Sequence, residues 1–132
     1  MARMTWMLGL AFGMSAFFYE SLSSQLRESR ARLQETLRRE LRSLWDLPTV
    51  GDIRQVGLVA GIELVKDWRS RKHFDPRERV GARVCQALAK RGVLTRPVGD
   101  VLVLMPPYCT TPGQLKKMVR GMAESVGEIC RQ

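Results

Sequence analysis

The residues with most scope for chemistry lie in Arg91-Gly92-Val93-Leu94-Thr95-Arg96-Pro97-Val98-Gly99-Asp100-Val101-Leu102-Val103-Leu104-Met105-Pro106-Pro107-Tyr108. Arg96 ends the apolar run Val93-Leu94-Thr95 and is followed by Pro97, whose ring fixes its own φ and stiffens the turn. A guanidinium held at such a place can grip a carboxylate through two parallel hydrogen bonds. Pairing of Arg96 with a local acid such as Asp100 is the competing reading. Little else in the chain is equipped for chemistry. There is no GxGxxG, no phosphate loop and no Ser/His/Asp set, and no lysine stands in a cofactor-binding context. His73 is the only histidine, and Cys85, Cys109 and Cys130 are odd in number and far apart. A zinc site needs about four ligands at compatible spacing, so neither a metal site nor a catalytic residue is assigned. Cys85 and Cys109 read as small core residues, and unpaired thiols suit a cytoplasmic protein. Gly57 and Gly61 read as allowing close backbone packing rather than contact with a ligand.

The elements that must position Arg96 follow from periodicity. Leu22, Leu26, Leu33, Leu37, Leu41 and Leu44 share one helical face, with arginines between them, and this helix should stop near Asp46 to Pro48. From Thr49 to Val65, β-branched residues broken by glycines predict strands with a bend or bulge. Asp67 to Phe74 is polar and predicts a loop. Asp75, Pro76 and Glu78 carry the start signal of a second helix, with Val80, Val84 and Leu88 on one face and a stop at Gly92. Val93–Thr95 and Val101–Met105 are strand candidates around a Pro97–Asp100 turn. Thr111, Pro112 and Gln114 open a third helix, whose apolar face includes Leu115, Val119, Met122 and Val126. The order helix, strands, helix, two strands, helix fits a small open sheet covered by helices on one face.

At 132 residues the chain has the length of about one domain and can bury roughly two thirds of its unfolded surface. The net charge is +9, but the basic residues are spread along the chain and mixed with acids. No basic stripe interleaved with aromatics is present, so a solvated surface is favoured over nucleic-acid binding. Met4 to Tyr19 carries no charge and is rich in Met, Leu and Phe, yet falls short of the ~20 residues that a membrane span needs. A helix packing on another domain or subunit is the favoured reading. A membrane-associated segment and sequence left by truncation or a shifted start stay open.

The pattern Gly92-Val93-Leu94-Thr95-Arg96-Pro97-Val98-Gly99, followed by an apolar strand and Met105-Pro106-Pro107, resembles the small domain of class III pyridoxal-phosphate-dependent aminotransferases. Within that family it is most similar to the biotin-pathway branch. Val50 to Val65 and Phe74 to Gly81 share the likeness, which runs from about Leu47 to Ile129. Residues 1–20 do not match the family's usual approach to this domain. The resemblance implies an α/β (α+β) fold with a small, mostly antiparallel sheet covered by helices. It divides the chain into an apolar segment 1–20, an amphipathic helix 21–46 and an aminotransferase small domain 47–132. It also implies that Arg96 binds the carboxylate tail of the substrate. In the family, the lysine and phosphate-binding residues that hold pyridoxal phosphate belong to a large domain that these residues do not resemble. The implied protein is thus a truncated or split aminotransferase, inactive and without pyridoxal phosphate on its own, that works with a large-domain chain or homodimer partner. The complete enzyme would transfer an amino group from S-adenosylmethionine to 8-amino-7-oxononanoate. A non-catalytic interaction module, offering residues 4–19 and the basic surface to a protein or membrane partner, is the alternative.

Overall fold

A computed structural model describes the backbone of residues 4–131 and the side chains of residues 20–131. The apolar segment read in residues 1–20 lies, as regards its side chains, almost wholly outside the described residues. The chain divides into two compact units, Met1–Arg32 and Leu33–Gln132. One helix, α1 (Met4–Leu41), runs through the division. In the first unit Leu22 and Leu26 are each 58% exposed, and Arg32 pairs with Glu28 one turn away at 3.8 Å. Among the described residues no helix is long and apolar enough to cross a membrane.

The second unit carries the core. Of the six leucines expected on one face, Leu37, Leu41 and Leu44 are buried, and Leu33 is partly so. The helix tightens into a 3-10 turn at Arg42–Asp46, so helical structure ends where Pro48 requires it. β1 (Val50–Val56) and β2 (Val59–Leu64) form an antiparallel hairpin with an irregular register between Val50 and Asp52. Its two-residue connection is possible because Gly57 adopts φ +62°. Gly57 therefore serves the turn. Gly61 serves no close approach, since a Cβ there would meet Val101 at an ordinary 3.5 Å.

The second helix differs from the expectation. Asp75 does cap, accepting from the Arg77 N–H at 2.9 Å, but what it caps is a 3-10 turn, Pro76–Glu78. Arg79 then turns left-handed (φ 47°) and α2 begins at Val80, without a side-chain cap from Arg79. It ends at Lys90, where Gly92 has φ +79° and the Val93 N–H bonds back to Leu88. That return closes the helix and removes Val93 from strand pairing. The third strand is accordingly displaced: β3 is Arg96–Val98, not Val93–Thr95, and β4 is Val101–Leu104. Arg96 begins this strand instead of ending one. Pro97 lies inside β3, which is tolerated because the sheet order β1-β2-β4-β3 leaves β3 at an edge. All pairings are antiparallel.

The last helix, α3 (Pro112–Cys130), matches its start signal: Thr111 and Gln114 each accept from the other's backbone N–H. Leu115, Val119, Met122 and Val126 join Val84 and Leu88 of α2 in one apolar cluster. The same cluster takes Ala60, Ile62 and Leu64 of β2 and Leu102 and Leu104 of β4. These alternate with residues that point away from the core, so the sheet has one covered and one open face.

Candidate functional site

The open face carries the side chains that alternation turns away from the core. The register aligns Arg54, Gly61, Val103 and Arg96 in one row across β1, β2, β4 and β3. The next row is Asp52, Glu63, Val101 and Val98. Two arginines thus stand in one row, three strand spacings or roughly 14 Å apart.

Their electrostatic surroundings differ. The Arg54 guanidinium contacts Asp52 at 2.6 Å and Glu63 at 3.8 Å. The hydrogen bond from Arg54, opposed by some loss of hydration, holds the Asp52 carboxyl below its usual range. Arg54 is raised in turn, chiefly by its hydrogen bond to Asp52. With two carboxylates against one cation, this patch has no spare positive charge. Arg96 is exposed, and among the described residues no acid pairs with it. Asp100, its local alternative, turns to α2 and accepts from the Gly81 N–H at 3.2 Å. Arg96 consequently presents an unneutralised guanidinium on the open face, beside Val98 and Val103. A carboxylate followed by an aliphatic chain meets both requirements of such a place, charge for the head and apolar surface for the tail.

Asp52, Arg54, Gly61, Glu63 and Val101 line a shallow concavity of about 280 Å³ on the Arg54 side of this face, and Arg96 is not among its lining residues. A neighbouring one of about 410 Å³ adds Trp68, Arg71 and His73 to Asp52, Arg54 and Glu63. Sequence reading missed this acid–arginine network. Its one local signal was Asp52 and Arg54 two apart in a strand, since residues so spaced share a face. The contribution of Glu63 depends on register, which no local pattern states.

The other candidates fall elsewhere. Cys85 is buried, and burial pushes its thiol pKa upward. Cys109, expected in the core, is instead exposed. It sits in the turn closed by the Thr110 N–H on the Pro107 carbonyl, which buries Thr110 in its place. Cys130 is half-buried and also raised, mainly by burial. Among the described residues no cluster of His, Cys, Asp and Glu could hold a metal ion. Pyridoxal phosphate requires a lysine for its attachment and donors around its phosphate. The chain's five lysines, Lys66, Lys72, Lys90, Lys116 and Lys117, are all exposed, and none lines the concavities described above. These residues do not fit that cofactor.

Residues 14–126 match the family described as aminotransferase class-III. The chain is 51% identical over 85 residues to the adenosylmethionine-8-amino-7-oxononanoate aminotransferase of Nitratidesulfovibrio vulgaris, covering 64% of this chain and 16% of that protein. It is 40% identical over 112 residues to the protein of the same name from Anoxybacillus flavithermus, covering 85% of this chain and 24% of that one. The crystal structure of the Methanocaldococcus jannaschii protein of that name superimposes with a TM-score of 0.75 at 29% identity, covering 88% of this chain and 26% of that one. The chain therefore spans about a quarter or less of the length of these relatives.

Proposed function

The chain belongs to the class III aminotransferases, and from that premise we propose that it supplies the part of such an enzyme that grips the substrate carboxylate. The observation that carries this is Arg96, exposed on the open sheet face with no acid paired to it among the described residues. The reaction we assign to the complete enzyme is amino transfer from S-adenosylmethionine to 8-amino-7-oxononanoate, on the strength of the names borne by its relatives. Residues 47–132 form the small domain in this reading, residues 21–46 the helical stretch leading into it, and residues 1–20 an apolar N-terminal segment whose residues from Met4 on continue the same helix. The setting is cytoplasmic.

The role of the chain is binding and orientation. Arg96 holds the carboxylate end, while Val98 and Val103 receive the adjoining methylenes. Pyridoxal phosphate supplies the amino-transfer chemistry of the family, and among the described residues no lysine lines a concavity that could hold it. A large-domain chain or a second subunit is the partner implied.

Reconstitution with the large domain of a relative tests this. Arg96→Ala should raise KM for 8-amino-7-oxononanoate by about 10- to 100-fold, the equivalent of the ~1.5–3 kcal/mol of a charged hydrogen-bonded partner. An unchanged KM would remove Arg96 from the site. A second reading, a non-catalytic module for a protein or membrane partner, rests on the exposure of Leu22 and Leu26. Liposome flotation decides its membrane form: no binding with or without residues 1–20 eliminates it.

A further inference from the structure

The N-terminus of α2 has an unusual cap. Arg79, in the N-cap place with a left-handed backbone, contributes no side-chain hydrogen bond, because a guanidinium has no acceptor to offer the helix N–H groups. The Gly81 N–H, near the helix start, is instead taken by the Asp100 carboxylate, 19 residues along the chain. A carboxylate suits that place twice over, as acceptor for an otherwise unbonded N–H and as a negative charge at the positive end of the helix. Asp100 belongs to the two-residue turn Gly99-Asp100 that joins β3 to β4. Its own carbonyl accepts from the Leu64 N–H at 2.9 Å, so the residue ties α2, β2 and the β3–β4 turn together.

Packing reinforces this joint. A Cβ added at Gly81 would lie 2.3 Å from the Gly99 carbonyl oxygen and 3.1 Å from Pro97 Cβ. The turn thus rests on bare backbone, and only glycine at position 81 lets it come so close. Gly99 itself adopts φ +61°, which a tight hairpin requires at its first central position. Pro97, which meets Gly81 on the covered side, directly follows Arg96, which points to the open side. The start of α2 therefore holds the short edge strand from behind while Arg96 projects in front.

We propose that Asp100 is a positioning residue for Arg96: its bond to the Gly81 N–H locks the β3–β4 hairpin onto α2 and so sets where the guanidinium stands. The inference rests on the reading of Arg96 as a carboxylate-binding residue, and its test separates the two. Electrostatics and positioning make opposite demands here. Asp100 is an anion on the hairpin that carries Arg96, so deleting its charge should tighten anion binding if charge alone mattered. If Asp100 positions Arg96, deleting it should weaken binding despite the lost repulsion.

The experiment is an NMR titration of the ¹⁵N-labelled full chain with heptanedioate, a carboxylate on an aliphatic chain. In the wild type, shifts should centre on the Arg96 Nε–H and the amides of Val98 and Val103, and Arg96→Ala should abolish them. Asp100→Ala should weaken binding on the order of fivefold, as coupling through a shared backbone shift does, and should move the Gly81 amide resonance. Asp100→Asn keeps an oxygen acceptor without the charge and should bind at least as well as the wild type. Gly81→Ala should weaken binding with Asp100 intact, by pushing the turn off the helix. Binding by Asp100→Ala equal to or tighter than wild type, with Arg96→Ala dead, overturns the positioning role and leaves the Arg96 reading in place. Equal weakening by Asp100→Ala and Asp100→Asn overturns it too, because the acceptor would not be what matters. A wild type whose shifts survive in Arg96→Ala overturns the Arg96 reading, and the positioning role with it.

Discussion

Arg54 and Arg96 share a row and a residue type, and their neighbours set their uses apart. Asp52 and Glu63 hold Arg54, whereas the one acid near Arg96 in sequence is occupied by a helix end. Sequence reading could place Arg96 beside Pro97 and a turn, but could not decide between a free guanidinium and an Arg96–Asp100 pair. That decision depended on where α2 begins, a tertiary fact. The Asp52–Arg54 contact gives a pH signature. Because the folded Asp52 carboxyl lies below its ordinary value, its pairing favours the folded state above the unfolded pKa. That contribution fades as pH falls through the folded pKa. Carboxyl NMR should find Asp52 titrating below model carboxylates, and Arg54→Ala should return it toward them; an unmoved Asp52 would contradict the pairing. The thiols make a second test. Cys109 is exposed, while burial raises both Cys85 and Cys130. A thiol-specific reagent at neutral pH should therefore label Cys109 first, because the thiolate is the reactive form. Prior labelling of Cys85 in the folded chain would contradict its burial.

At the scale of elements, local chemistry was legible where a signal and its target are neighbours. The Thr111–Gln114 capping box spans three residues and starts α3 where expected. Asp75 caps as well, but the turn it starts is cut off by left-handed Arg79, which no propensity foretells for an arginine. The strand before Arg96 was misplaced because the Val93 N–H is used in closing α2, a choice between two partners equally open to the sequence. The capping box offers a stability measurement that bears on no ligand. Thr111→Ala should cost about 1 kcal/mol in urea unfolding, with an unchanged slope, as loss of an N-cap does. No measurable loss would mean that solvent satisfies the Gln114 N–H equally well. The α2–α3 contact has a separate support in Arg91, which reaches Glu128 at 2.7 Å and Glu124 at 3.5 Å. These groups are at least a third exposed apart from Arg91 itself, so the contact adds little beside the apolar packing of Leu88 against Gly121.

For the whole molecule, the decisive fact is where the core begins. Among the described residues, every member of the apolar cluster, including its partly buried fringe, lies at Leu33 or later. The leucine stripe looked uniform from Leu22 to Leu44, because period reports which residues share a face and not whether anything covers that face. The covering sheet and helices come from residues 50–130, so the later leucines are buried while Leu22 and Leu26 stay exposed. A helix gains most of its stability from packing, so the part of α1 before Leu33 should add little to the folding of residues 33–132. Removing residues 1–32 should therefore leave a single cooperative thermal transition, with stability changed by no more than ~0.5 kcal/mol. On a domain of this size that is a shift of a few degrees, about 2–4 °C. Far-UV circular dichroism should lose helix signal in the truncated chain while the heptanedioate shifts at Arg96 persist. A broad or absent transition in the truncated chain would show that residues 1–32 complete the core, and the small domain would then have to be drawn to include them.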